Sequence, residues 1–339
     1  MLPFLNQLNL IRYLIVWRVN SSVVFFPQYF SLDISRVIGT IIYNRLPTKD
    51  KKSWKKTLEK LNVPDKMNST REGESSVSIP ESSWPINAVL VPYSTKRTYA
   101  RGELIFWELK LFGKHADHGL FLEVILPALE EASFTSDPQF SKKNRLWGHF
   151  DIQHIYVARG DCWVPLVVNG KLDLHYRVNP KQWLEGLSFR PQFKQRLRII
   201  NWFTTFDLEN DFTYLRQLKL IDDTKIEKMS DSPNLTLILA NLIQRIDELL
   251  FKNSKTNSSI IELMDDKETK NLQKSFSLAN NISTIKTNIR SVTPIFPGKW
   301  TGIMRYKNLP NFVVPYLEAA SIIHIGKQTH YGCGTFALH

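Results

Sequence analysis

The sequence predicts an α+β chain built from two consecutive βαββαβ units. Three observations predict it. Apolar residues recur at helical spacing in four segments, and short β-branched or aromatic runs separate them. The order strand, helix, strand, strand, helix, strand can be read twice along the 339 residues. A composition of 43% hydrophobic and 22% charged residues suits packed cores rather than a disordered chain.

In the first unit, residues 8–26 form a long β-rich run with a break near Asn20-Ser21-Ser22, and Pro27 ends it. Leu32, Ile34, Val37, Ile38, Ile41 and Ile42 then predict a helix to about Arg45. A lysine cluster (Lys49, Lys51, Lys52, Lys55, Lys56 and Lys60) follows, with Trp54, Leu58 and Leu61 on the apolar side of a short helix. It reads as a solvated face or as a phosphate-tracking patch. Residues 67–83 are a Ser/Glu/Pro-rich loop, so 45–83 is a basic insertion. Strands at Ile86–Val91 and Leu104–Phe112 lead to an amphipathic helix around Leu120–Leu129, which Pro127 should kink. A strand at Leu146–Val157 completes the unit.

Residues 160–194 read as a connector hairpin turning at Asn169-Gly170. The second unit begins near residue 195. Its elements are a strand at Leu197–Phe206, a helix from Leu235 to Leu250, strands at Ile282–Val292 and Gly302–Tyr306, a helix at Val313–Ile323 and a last strand near Thr335–Leu338. Residues 252–280 are polar and are expected to be a disordered insertion. The domains are therefore expected at 1–159 and 195–339.

Lys plus Arg number 44 against 32 acids, a net charge of +12. Such a surplus attracts a polyanion, either nucleic acid or an anionic membrane. Cys162 and Cys333 are the two cysteines and show no zinc-ligand spacing, so neither a metal site nor a disulfide framework is expected. The apolar N-terminal stretch is broken by Arg12 and Arg18 and reads as a buried strand, not a signal peptide or membrane span. A reducing, cytoplasmic setting is expected. No phosphate-binding GxxxxGK[ST], GxSxG or HExxH motif occurs. The acid pairs Asp222-Asp223 and Asp265-Asp266 lie in polar segments and read as solvated turns.

The most specific segment lies between the last helix and the last strand, from Ile323 to Phe336. Gly326, Gly332 and Gly334 allow tight turns and bring bare N–H groups near an anion, while Lys327 and His330 add charge. This stretch resembles the C-terminal glycine-rich loop of the CRISPR-associated RAMP superfamily, in particular its precursor-crRNA-processing endoribonucleases. Gly298–Tyr306 is similar to the family's strand and Phe312–Ala320 to its helix. His324-Ile325-Gly326-Lys327, with Gly332, Gly334 and Phe336, is similar to its loop. Tyr99–Leu104 through Leu111–Lys114, and Leu218–Ile221 with Leu242–Leu250, resemble further family segments, so the resemblance spans most of residues 84–339. Gln328 stands where the family has glycine, Cys333 where it has an apolar residue, and no histidine precedes His115.

The resemblance implies two tandem ferredoxin-like (RRM-like) modules that bind CRISPR repeat RNA or crRNA, with other effector subunits as further partners. It implies a metal-independent cut without a cofactor. The RNA's own 2′-hydroxyl attacks the adjacent phosphate, leaving a 2′,3′-cyclic phosphate and a free 5′-hydroxyl. That chemistry needs a base, an acid and cations for the developing charge. The candidates for proton transfer are His330, His115, His324 and Tyr29; the alternatives are a helix cap for His115, a core histidine for His324 and packing for Tyr29. Candidate RNA contacts are Gly326, Lys327, Gly332, Gly334, Arg36, Arg45, Lys299 and Arg305. Two other readings stand beside this one: a RAMP protein that holds guide RNA without cutting it, and a basic scaffold for proteins or membranes.

Overall fold

The computed structural model describes residues 2–27, 29–61, 84–93, 96–135, 145–173, 177–187, 198–210, 213–218, 220, 234–251, 259–282, 284–293 and 297–339. The chain divides into two compact units, Asn9–Gly186 and Met1–Leu8 with Leu187–His339.

The first unit begins with β1 (Leu10–Val19) and β2 (Val23–Phe25), separated at the predicted break. Helix α1 (Phe30–Arg45) carries Asp33 in its first turn and Arg45 in its last, both favourable to the helix dipole. Helix α2 (Thr48–Leu61) is the lysine-rich segment; its Trp54 and Leu58 are buried. The Ser/Glu/Pro-rich loop lies outside the described residues. Strands β3 (Ala88–Pro92), β4 (Thr98–Ala100) and β5 (Leu104–Phe112) follow. Helix α3 (His118–Leu120) is capped by Asp117, whose carboxylate accepts the Gly119 N–H at 2.8 Å. It continues through a π-helical turn, Phe121–Ile125, into α4 (Leu126–Phe134). The wider turn accommodates Pro127, which has no N–H to donate. Strand β6 spans Phe150–Arg159.

The sheet order is β3-β5-β1-β6-β7-β8, where β7 (Cys162–Val168) and β8 (Lys171–Leu172) form the Asn169-Gly170 hairpin. Both turn residues have positive φ, 50° and 75°, as a tight hairpin turn requires. Leaving out that hairpin and the separate β2–β4 pair, the sheet's strands are ordered second, third, first, fourth, with antiparallel neighbours. This is the ferredoxin-like arrangement. Period-two alternation sends Ile11, Tyr13, Ile15, Trp17 and Val19 of β1 into the helix-covered core. There Trp17 packs edge-on to Trp107 and Trp147. Arg12, Leu14, Val16 and Arg18 point to the opposite face.

The second unit contains β9 (Ile199–Trp202), α5 (Thr213–Gln217), α6 (Leu235–Phe251), α7 (Asp266–Asn280), β10 (Thr284–Ser291), β11 (Trp300–Tyr306), α8 (Val314–Ile323) and β12 (Phe336–Leu338). Its sheet order, β10-β11-β9-β12, is again second, third, first, fourth. Ile200, Trp202, Met304 and Phe336 fill the helix side of the sheet. Helix α7 corrects the expectation of a disordered insertion at 252–280. A capping box between Asp265 and Glu268 starts it, and Leu272, Phe276 and Ala279 are buried along one face. Three apolar residues at i, i+4 and i+7 are enough to dock a helix that is otherwise polar. Residues 252–258 lie outside the described residues. Among the described residues, no helix is long and apolar enough to cross a membrane.

Candidate nucleic-acid interface

The segment after α8 turns back along residues 205–208. The Lys327 N–H donates to the Asp207 carbonyl at 2.7 Å, and the Gly334 N–H donates to the Thr205 carbonyl at 2.9 Å. The Gly332 N–H closes a local turn onto the Thr329 carbonyl at 2.8 Å. Gly326 and Gly334 both have positive φ, and a Cβ on either would meet a backbone carbonyl oxygen: Asp207 at 2.3 Å or Ile325 at 2.0 Å. The glycines therefore serve first to let two backbone segments cross in close contact. This corrects the expectation of bare amides at Gly332 and Gly334: both residues are buried and their N–H groups already donate within the protein. Gly326, Lys327 and His330 remain at least partly accessible, although the His330 Nε2 is buried. Gln328 takes a left-handed backbone, φ 55°, where the family has glycine, and its Oε1 accepts the Gly298 N–H at 2.7 Å.

Lys327 on this turn and Lys299 just before β11 meet acids of the crossing segment. Lys299 lies 3.2 Å from Asp207, and Lys327 lies 3.6 Å from Glu209. Both lysines are exposed, so these pairs are weak and exchangeable with a polyanion. Arg305 is exposed on β11, directly across from exposed Lys286 on β10. Arg290, also exposed, stands across from Thr301 on the same face. Like charges placed opposite one another on a sheet repel, and a bound phosphate chain would relieve that repulsion. Sequence reading named Arg305 but missed Lys286 and Arg290. Their every-second-residue spacing with Asn288 was the available signal.

In the first unit, Arg36 and Arg45 lie on α1 and are ion-paired, Arg36 with Asp33 at 2.8 Å and Arg45 with Glu131 at 2.6 Å. Tyr29 stands at the N-terminal end of α1, where burial raises its hydroxyl pKa against the opposing effect of Arg97. His115 is half-buried and its Nδ1 accepts the Asn87 N–H at 3.1 Å, which leaves only Nε2 for other work. Burial, with Lys114 adding to it, lowers the His115 pKa. His118 Nδ1 lies 3.0 Å from the Tyr13 hydroxyl, and burial lowers its pKa against the pull of Asp117.

His324 is fully buried at the end of α8, and its ring is hydrogen-bonded to the Thr335 hydroxyl. This corrects its candidacy for proton transfer: with no accessible surface it cannot meet a phosphate, and it fastens the helix end to β12. His330 is half-buried, with its ring 4.1 Å from that of Tyr331. Of the proposed histidines in the second unit, it is the one that shares the accessible turn with Lys327. His175 lies outside the described residues.

These elements define a tandem ferredoxin-like α+β protein whose second module bears a cationic sheet face and a lysine-bearing turn before its last strand. Among solved structures, the chain is similar to a chain of the partial Cas6-RT-Cas1–Cas2 complex, with TM-score 0.49 and 10% identity over 98% of this chain and 46% of that one. It thus spans just under half of that longer chain. It is also similar to Thermus thermophilus Cas6, with TM-score 0.45 and 12% identity over 98% of this chain and 99% of that one. A third similarity is to a CRISPR-associated protein Cas6, with TM-score 0.37 and 8% identity over 97% of this chain and 98% of that one. No protein-family model and no curated protein sequence matches the chain.

Proposed function

We propose that the chain binds CRISPR repeat RNA and cleaves it to guide RNA by attack of the RNA's own 2′-hydroxyl, without a metal. The observation that carries the RNA half of this reading is the like-charge pair Lys286–Arg305, with Arg290, on an exposed sheet face of a chain with net charge +12. The resemblance of residues 298–336 to the loop of the precursor-crRNA endoribonucleases narrows the nucleic acid to CRISPR repeat RNA. In this reading Lys286, Arg290, Lys299, Arg305 and Lys327 contact phosphates. The Gly326–His330 turn approaches the scissile region, and His330 moves the proton.

The experiment is incubation of repeat RNA with the chain in excess EDTA. Cleavage to a 2′,3′-cyclic phosphate and a 5′-hydroxyl is expected, and an intact substrate would refute the nuclease half. Arg305→Ala is expected to weaken RNA binding without altering sequence preference. It should also reduce the slope of log affinity against log salt by about 0.7, the value for one lost phosphate contact on a single strand. An unchanged slope would remove Arg305 from the contact set. His330→Ala is expected to slow single-turnover cleavage by about 100-fold while leaving affinity within a factor of two, the usual scale of a lost acid or base. An unchanged rate would take His330 out of the chemistry.

One observation favours a second reading. His324 and His115 are both engaged by protein hydrogen bonds, which thins the set of groups for proton transfer. A chain that holds guide RNA without cutting it would bind repeat RNA tightly in the same experiment and leave it whole.

A further inference from the structure

The helix-free face of the first sheet carries a groove that the proposed cleavage does not use. It is lined by Leu14 of β1, Tyr93 just past β3, Phe106 of β5 and Trp163 of β7, and its volume is about 350 Å³. That is near the lower end of the roughly 300–1,000 Å³ typical of small-ligand clefts, room for one planar ring system rather than a helix. Exposed aromatics wall it: Tyr93 is 53% exposed and Phe106 40%. Both belong on the helix side of a fold if packing alone decided their place.

Behind the lining residues lies a buried polar cluster that Tyr93 and Trp163 contact. Glu108 accepts from Arg12 Nε at 2.6 Å and from the Tyr93 hydroxyl at 2.5 Å. Lys110 stands 3.8 Å from the same carboxylate. The Arg12 guanidinium lies 5.2 Å from the centre of the Trp163 ring, a cation–π contact. Arg12 stays charged, but burial pushes the Lys110 ammonium down to about 7, so at neutral pH the cluster keeps only a partial positive charge. An apolar peptide side chain or lipid tail would cover these charges without answering them. A flat ring attached to a polyanion answers both the aromatic walls and the charge.

We propose that this groove is a stacking subsite for one unpaired base of a single-stranded RNA. The proposal rests on the RNA-binding reading above and extends it to a second surface, on the first module. Aromatic walls favour stacking on any base, so the subsite adds affinity for unpaired RNA rather than sequence choice.

The test measures binding of the full chain to a ten-nucleotide single-stranded RNA carrying one 2-aminopurine, for the wild type and for Phe106→Ala, Phe106→Leu and Phe106→Tyr. The expected result is loss of about tenfold in affinity for the Ala and Leu variants, the scale of one lost base–aromatic stack. Fluorescence quenching at one position should be lost with it. Phe106→Tyr, still aromatic, should retain both. Wild-type affinity and quenching in Phe106→Ala and Phe106→Leu would overturn the subsite while leaving the RNA-binding reading intact. A wild-type chain that binds no RNA at all would overturn both. A concentration-dependent dimer that Phe106→Ala dissolves would assign the groove to a second copy of the chain and overturn the subsite.

Discussion

Replacing Gly334 with alanine is expected to destabilise the second unit by more than about 3 kcal/mol, because backbone strain and a steric clash fall on one residue. Gly334 has φ +80°, a left-handed conformation that costs an L-residue about 1–2 kcal/mol. Its added Cβ would also sit 2.0 Å from the Ile325 carbonyl oxygen and 2.9 Å from the Ile325 nitrogen. Both are backbone atoms, so no side-chain rotation relieves the contact. The turn would have to open, breaking the Gly334-to-Thr205 hydrogen bond that ties it to the strand end. A fall in Tm of roughly 10 °C follows, from about 2–4 °C per kcal/mol in units of this size. Gly102→Ala separates the two causes. Its φ is +87°, but nothing lies within 4 Å of a Cβ built there, so only the conformational cost of about 1–2 kcal/mol applies. Equal losses in the two variants would show that the crossing of residues 325–334 over 205–208 is not tight in solution. RNA affinity of Gly334→Ala should fall with stability, since Lys327 and His330 ride on the same turn.

That crossing also marks where the sequence stopped being readable. Alternation and helical spacing are local, so β5, α6 and β12 could be read from their own residues. Three glycines in nine residues announce an unusual turn, yet local spacing cannot reveal that residues 205–208 cross beneath it. The same glycines can free amides for an anion or clear space for a carbonyl, and only the partner segment decides between the two. Ion pairs pose the same problem. Lys327 meets Glu209 and Arg45 meets Glu131, over separations that no motif encodes. His324 was open between core and catalysis because its register at the end of α8 depends on where β12 docks. Helix α7 was missed for a different reason: three apolar residues in a polar stretch look like disorder unless their spacing is tested. The cluster behind the aromatic groove was legible in principle. Glu108 and Lys110 interrupt an otherwise apolar strand two residues apart, which puts both on the face that carries Phe106.

Removing the carboxylate of Glu108 is expected to cost the first unit about 3–5 kcal/mol, the scale for stranding a buried charge. The Glu108 side chain is 2% exposed and those of Arg12 and Lys110 are 15% and 3% exposed, so water cannot replace it. Burial alone would raise the Glu108 pKa, but Arg12 and Lys110 outweigh it and hold the carboxyl below the usual range. Its stabilising effect is therefore present above the unfolded-state value and is lost as pH falls through the lower folded value. Lys110 behaves in the opposite way. Burial, only partly offset by Glu108, pushes its ammonium down from 10.5 to about 7. Between those values the unfolded chain holds a proton that the folded chain has released, so stability rises with pH across the window from about 7 to 10.5. Lys110→Met should abolish that rise. Because Arg12 alone satisfies Glu108, the substitution should also leave stability at pH 7 unchanged or raised by about 1–3 kcal/mol. Urea midpoints at several pH values between 6 and 10, for wild type, Glu108→Ala and Lys110→Met, measure all three effects. If Lys110→Met keeps the wild-type slope, the rise belongs to another group. If Glu108→Ala costs less than about 1 kcal/mol, the level of an exposed pair, the cluster behind the groove is wet rather than buried. A wet cluster would also weaken the case for a stacked base, since the contact of Arg12 with Trp163 depends on the same carboxylate.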